Sequence, residues 1–108
     1  MTTKSKNLGE FEQTILLALI QLKDNAYGMP IRRFVFEKAH RDVAIGAIYT
    51  TLDRLESKGF VTSRLGEPTP ERGGKAKRYF TINAAGVRAL NEARRAMESL
   101  WSGLEYPL

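Results

Sequence analysis

A single change of periodicity divides this sequence and limits the folds that it can adopt. Up to about residue 58, apolar side chains recur every three or four residues, which is typical of helices. Residues 60–65 and 77–82 are instead rich in β-branched and aromatic side chains, and they flank a loop that holds two prolines and three glycines. The helical spacing returns after Asn83. The sequence therefore predicts a mainly α fold with one small β-hairpin: three helices, a long-looped hairpin and a last helix.

Local signals place the ends of these helices. We expect the first helix over about 8–23, the second over about 30–40 and the third over about 43–58. Pro30 suits a first helical turn, where its missing N–H costs nothing. Gly59 is placed to end the third helix, and Asn83 is placed to cap the last one.

The third helix has two unlike faces. Its apolar stripe consists of Ile45, Ile48, Leu52 and Leu55, and its opposite face carries Gly46, Ala47, Thr50 and Arg54. A helix enters the DNA major groove only if its outer face is small or polar enough to reach the base edges. With a short connector before this helix and a hairpin after it, the pattern predicts a winged helix-turn-helix. Gly46 and Ala47 permit the approach, and Arg54 donates to phosphate or guanine.

Positive charge is concentrated in one segment. The chain carries a net charge of +5, and residues 64–78 hold five cations against two carboxylates. This segment covers the loop and flanks of the hairpin, so no local partner is evident for its cations. We expect the wing to bring four of them to DNA phosphates: Arg72, Lys75, Lys77 and Arg78.

An apolar seam on the last helix predicts a homodimer. Successive spacings of three, four, three and four residues separate Leu90, Ala93, Met97, Leu100 and Leu104, and Trp101 widens this seam. Leu16 and Ile20 lie on the face of the first helix that its main apolar stripe leaves free. Pairing the last helix with the first helix of a second subunit buries both surfaces. The alternative for the first helix is that a later element of the same chain covers this face.

Composition excludes several classes of protein. The 108 residues make one domain, and they include no cysteine and a single histidine, so disulfide scaffolds and thiolate zinc sites are ruled out. No phosphate-binding loop or nucleophile motif occurs. The longest apolar run, 15–20, is too short to span a bilayer, and the N-terminus is polar. We expect a cytoplasmic protein that is not an enzyme and that needs no metal or cofactor.

Three blocks of the sequence resemble the PadR-like family of winged helix-turn-helix transcriptional regulators. The blocks read Tyr-Gly-Met-Pro-Ile at 27–31, Gly-Ala-Ile-Tyr-x-x-Leu-x-Arg-Leu-Glu-x-x-Gly-Phe-Val at 46–61, and Gly-Lys-Ala-Lys-Arg-Tyr-Phe-x-Ile-Asn-x-x-Gly at 74–86. They occur in the family's order and at its spacing. Two positions depart from its pattern, Pro30 in the second helix and the Lys75-Ala76 pair in the wing.

The resemblance implies a dimeric repressor. Residues 1–83 would form the DNA-binding unit, with the wing over about 60–82, and residues 84–108 a dimerisation helix within the same single domain. Such regulators bind palindromic double-stranded operators through the third helix and the wing, and a small hydrophobic or aromatic effector often releases them. In this reading Tyr27 and Tyr49 join the DNA-binding residues, and Met97 and Trp101 are the candidate effector-binding residues.

Several alternatives stay open at this stage. Tyr49 is either a phosphate ligand or a half-buried aromatic beside Leu52. Arg54 either contacts DNA or pairs with Glu37 or another carboxylate, and Trp101 either binds an effector or completes the dimer core. The competing function is a winged helix that binds proteins or RNA without operator specificity.

Overall fold

Four helices and a two-stranded antiparallel hairpin make up the computed structural model, which describes residues 7–68 and 76–104. The elements are α1 (Glu10–Leu22), a short 3-10 helix (Lys23–Asn25), α2 (Gly28–Ala39), α3 (Ile45–Ser57), β1 (Val61–Pro68), β2 (Ala76–Ile82) and α4 (Ala84–Trp101). The predicted order of elements and the predicted fold class are confirmed. The first three helices begin and end within about two residues of their expected limits. The last helix was expected over 84–108 but ends at Trp101, where Ser102 leaves the helical conformation and Gly103 follows with a φ of +88°, so Leu104 lies beyond α4.

One core joins the three N-terminal helices to the hairpin. Its fully buried large side chains are Ile15, Leu16, Ile31, Val35, Ile48, Leu52, Leu55 and Phe80. Most of them lie in the apolar stripes that the helical spacing predicts, which are Phe11, Ile15, Ala18, Leu19 and Leu22 in α1, Ile31, Phe34 and Val35 in α2, and the stripe of α3 given above. Ile45 of that last stripe, at the start of α3, lies partly in solvent. Burying such side chains is the main favourable contribution to folding.

Leu16 corrects the predicted dimer surface. Its exposed fraction is 0%, whereas the neighbouring Leu17 and Ile20 are 46% and 41% exposed. Because α1 packs against α2, α3, β2 and α4, its buried arc is wider than one stripe. Leu16 therefore belongs to the core of its own chain, as the alternative for this face proposed, and its assignment to a subunit interface is wrong.

Two glycines and an asparagine fix the entry into the hairpin and into α4. Gly59 adopts a φ of +83°, a left-handed conformation that ends α3 at low cost. Asn83 caps α4 by accepting a hydrogen bond from the Gly86 N–H at 2.9 Å, and its amide donates to the Gly59 carbonyl at 2.9 Å. A Cβ at Gly86 would collide with the carbonyl oxygen of Phe60. Both predicted boundary signals are confirmed.

The hairpin is tied to the helices near its base. Its register runs from Val61 opposite Ile82 to Leu65 opposite Arg78, and an irregularity follows before Pro68. The Phe80 N–H donates to the Ala26 carbonyl at 2.9 Å, which joins β2 to the turn after α1. The tip of the wing, including the predicted phosphate ligands Arg72 and Lys75, lies outside the described residues.

A buried ion pair connects the first and third helices. Lys58 Nζ, at the end of α3, lies 2.8 Å from Glu12 Oε2 in the first turn of α1, and both side chains are 8% exposed. Lys58 also donates to the Asn7 carbonyl at 3.1 Å, and Glu12 accepts from the Gly9 N–H at 2.8 Å. Burial opposes ionisation of Glu12. These hydrogen bonds, with the charges of Lys58 and Arg54, outweigh it and hold the pKa of Glu12 below its ordinary value.

Candidate nucleic-acid interface

The outer face of α3 is free in the structure. All four residues predicted for this face, Gly46, Ala47, Thr50 and Arg54, are exposed. A Cβ built at Gly46 meets no atom within 4 Å, so the backbone there is open to a close approach. Among the described residues Arg54 forms no ion pair, with Glu37 or with any other carboxylate. This face is therefore small, polar and available to a ligand.

Tyr49 turns from this face toward the core. Its ring and hydroxyl lie against Gly28, where an added Cβ would collide with them, and its ring centroid is 6.3 Å from that of Phe80. The side chain is half-buried. The half-burial agrees with the alternative reading of Tyr49, and the contacts show that its ring packs α3 against α2 and β2. A phosphate contact by Tyr49 stays a prediction.

A stack of two aromatic and two cationic side chains joins the wing to the start of α2. Tyr27, the residue that precedes α2, meets Tyr79 of β2 edge-on at 5.4 Å between ring centroids. Lys77 Nζ lies 4.5 Å from the Tyr27 ring, and the Arg64 guanidinium carbon lies 4.7 Å from the Tyr79 ring. Gly66 leaves room for the Tyr79 ring beside β1. The four residues Arg64, Tyr79, Tyr27 and Lys77 form what we term the cation–aromatic stack.

Sequence reasoning selected Tyr27 and Lys77 separately but did not connect them. The signal was present in β2, where Lys77 and Tyr79 are two residues apart and so share one face of the strand. Aromatic faces attract cations, so the stack holds the Lys77 ammonium group beside the first residue of the helix-turn-helix.

Arg78 points to the other side of β2 and has partners there. Its guanidinium donates to Asp53 at 3.2 Å and to Glu56 at 2.7 Å, and both carboxylates belong to α3. The same group donates to the Ser63 hydroxyl at 3.2 Å and lies 4.9 Å from the Phe80 ring. The expectation that the wing cations lack local partners is wrong for Arg78, because α3 supplies two.

Arg32 stabilises the connection between α2 and α3. Its Nε donates to the Val43 carbonyl at 2.8 Å, and its Nη2 donates to Asp42 at 3.3 Å. His40 adopts a left-handed conformation, with a φ of 56°, at the end of α2. Arg33, one residue along, is exposed. Arg32 therefore holds the turn that sets the direction of α3.

An apolar surface lies away from α3, between α1 and α4. Along the seam, Leu90 and Ala93 are half-buried, Leu100 is 75% exposed and Trp101 is 57% exposed. Beside them α1 and α4 border an open groove of about 720 Å³, whose apolar lining includes Leu17, Ile20, Val87, Leu90, Met97 and Trp101. Exposed apolar surface of this extent is typical of an interaction site.

Comparison with known proteins agrees with this geometry. The family model described as "Transcriptional regulator PadR-like family" matches residues 16–92. A PadR family transcription regulator from Clostridium difficile is 24% identical, with a TM-score of 0.70, over 86% of this chain and 92% of that one. A PadR family transcriptional regulator from Eggerthella lenta is 25% identical, with a TM-score of 0.66, over 87% and 81%. A PadR-like regulator from Bacillus cereus is 21% identical, with a TM-score of 0.65, over 87% and 93%.

One further comparison and two structural searches gave negative results. The search of curated proteins returned no significant match. Within residues 7–68 and 76–104 no helix is both long and apolar enough to span a membrane, and no three histidine or acidic side chains gather as metal ligands would.

Proposed function

The chain belongs to the PadR-like family of transcriptional regulators, and from that premise we propose that it is a homodimeric repressor of a palindromic operator. Membership makes it a DNA-binding regulator rather than an enzyme. The observation that carries the proposal is the outer face of α3, which is exposed, small and polar beside a cationic wing.

Each part of this surface has a distinct role in the proposal. Gly46 and Ala47 let the start of α3 approach the base edges, where Thr50 and Arg54 donate hydrogen bonds. Lys77 contacts backbone phosphate from the cation–aromatic stack, together with Arg72 and Lys75. Tyr27 lies beside Lys77, in reach of the same phosphate strand.

The dimer forms through the exposed apolar surface of α1 and α4. Its residues are Ile20 and Leu17 of α1 with Leu90, Ala93, Met97, Leu100 and Trp101 of α4, and Leu104 beyond it. Most of these side chains are exposed in a single chain, and Leu90 and Ala93 are half-buried. This exposure supports the proposal, because a second copy would remove the apolar area from water. Such a dimer presents two α3 helices, as the two half-sites of a palindrome require.

A flat hydrophobic effector binds at the same surface and lowers operator affinity. Trp101 and Met97 both border the groove between α1 and α4, which supports this part of the proposal. A tenfold release of DNA needs about 1.4 kcal/mol of preference for one dimer geometry over the other. Fluorescence of Trp101, titrated with planar aromatic compounds beside a DNA-release assay, tests it. If the compounds changed the fluorescence but released no DNA, the effector proposal would be contradicted, and the protein would be a repressor without an effector.

A gel-shift assay tests the proposed function as a whole. The probe is the duplex upstream of the protein's own gene, and the competitors are unrelated duplex DNA and RNA at equal phosphate concentration. We expect a complex that only the unlabelled upstream duplex displaces at low excess. Equal displacement by all three competitors would contradict operator specificity and favour the alternative, an RNA-binding or protein-binding winged helix.

A further inference from the structure

We propose that Arg78 is a positioning residue that joins the wing to α3 and neutralises two carboxylates beside the DNA, and that it does not bind phosphate. The inference rests on the proposed function, since it assigns a role within the same DNA-binding surface. It replaces the phosphate contact that the charge pattern alone predicted for this side chain.

The hydrogen bonds of Arg78 form a closed network. One nitrogen of its guanidinium donates to Asp53, and another donates to both Glu56 and Ser63. The Ser63 hydroxyl in turn donates to the second oxygen of Glu56 at 2.9 Å. These bonds use three of the five guanidinium N–H donors, and two carboxylates already balance its charge, so a phosphate would gain less from Arg78 than from an unpaired cation. Lys77, its neighbour in β2, has only the ring of Tyr27 as a described contact and keeps its ammonium donors for a ligand.

The two carboxylates explain why such a residue is needed. Asp53 is adjacent to Arg54 and one turn from Thr50, so it lies beside the residues proposed to read bases. Charges within about 8–10 Å act on one another at physiological salt, and an unpaired carboxylate there repels DNA phosphates. Arg78 offsets this repulsion from the side of the wing.

The same network sets the position of the wing. Arg78 lies opposite Leu65, close to the irregular part of the hairpin that leads into its tip. Next to it on the same face of β2, Phe80 is buried in the core. The ion pairs with α3 therefore extend the fixed part of β2 outward by two residues, which also fixes the place from which Lys77 projects on the opposite face.

A double-mutant cycle on DNA affinity tests the inference. Arg78→Gln is made in the wild-type chain and in an Asp53→Asn/Glu56→Gln background, and each protein is titrated with a duplex that the wild type binds, over a series of salt concentrations. In the wild-type background we expect Arg78→Gln to weaken binding about tenfold, the scale of coupling between close charges. In the neutralised background the same change should alter affinity less than about threefold and leave the salt slope unchanged. Circular dichroism verifies that each variant is folded, and Arg78→Met, which also removes the charge, replaces Arg78→Gln if that variant unfolds.

Lys77→Gln is the matched control, because it removes one cation from the adjacent position. It should lower the salt slope by about one unit in both backgrounds, as loss of a phosphate contact does. An equal loss of affinity from Arg78→Gln in both backgrounds, with a slope lower by about one, would identify Arg78 as a phosphate ligand and overturn the inference. Failure of the wild type to bind any duplex would overturn the proposed function and this inference together.

Discussion

The buried pair of Glu12 and Lys58 makes the sharpest prediction about stability. Lys58 donates to both carboxylate oxygens, at 3.0 and 2.8 Å, and to the Asn7 carbonyl. Lys58→Met removes all three bonds and leaves Glu12 with only the Gly9 N–H. Losing one partner of a buried ion pair costs about 3–5 kcal/mol, and we expect about 3 kcal/mol because the pair retains some contact with water. Replacing both residues, as Glu12→Leu/Lys58→Met, should return the free energy of unfolding to within about 1 kcal/mol of wild type.

The pH dependence supplies a second readout of the same pair. The pKa of folded Glu12 lies below its ordinary value, so its contribution to stability is complete above about pH 4.5 and is lost as pH falls through the lowered pKa. In Lys58→Met, burial is no longer offset by the ammonium group, so the pKa of Glu12 rises. Lowering the pH from 7 then protonates Glu12 in the variant first and relieves its unpaired charge. The difference in stability between wild type and variant should therefore shrink toward acid pH.

Urea unfolding followed by circular dichroism measures both effects, at one fixed protein concentration because assembly would shift the midpoint. Two results would refute the reasoning. One is a double variant as unstable as Lys58→Met alone. The other is a stability difference that stays constant between pH 7 and pH 4.

Three further predictions concern dimer assembly, packing at Gly86 and the turn before α3. Leu100→Asp should dissociate the dimer, because it places a charge in the apolar seam, and sedimentation should then show a 12.2 kDa species where wild type shows twice that mass. Gly86→Ala should lower the free energy of unfolding by about 1–3 kcal/mol, because the new methyl group collides with the Phe60 carbonyl. Gly46→Ala places its methyl group in open space and should not destabilise the protein. Equal losses of stability in the two variants would contradict this prediction. Arg32→Ala should weaken operator binding more than the adjacent Arg33→Ala, because only Arg32 holds the Val43 carbonyl at the entry to α3; identical titrations would show that the turn does not need it.

Local patterns were enough to predict the elements of this fold. Gly59 and Asn83 mark boundaries by their own backbone and side-chain preferences, and the structure confirms both. The stripes of α1, α2 and α3 predicted most of the core for the same reason, since a helical face is visible in a short window of sequence.

The features that the sequence did not predict depend on contacts between residues far apart in the chain. Arg78 pairs with carboxylates 22 and 25 residues away, and Lys58 pairs with one 46 residues away. Counting charges along the chain therefore does not reveal these ion pairs. The interface prediction for Leu16 was wrong because α2, α3, β2 and α4 all pack against α1. The spacing of apolar residues within α1 does not show how many elements cover it. Tyr49 shows the same limit, because Gly28 makes room for its ring from another helix.

A hydroxyl-radical footprint of the upstream duplex tests the central claim most directly. Two copies of α3, each in a major groove, should protect two patches on one face of the DNA, with centres about one helical turn apart, roughly 34 Å. The Leu100→Asp variant should lose both patches over the same range of protein concentration, since a monomer holds only one α3. A single patch, or uniform protection along the duplex, would contradict a dimeric regulator that reads a palindromic operator.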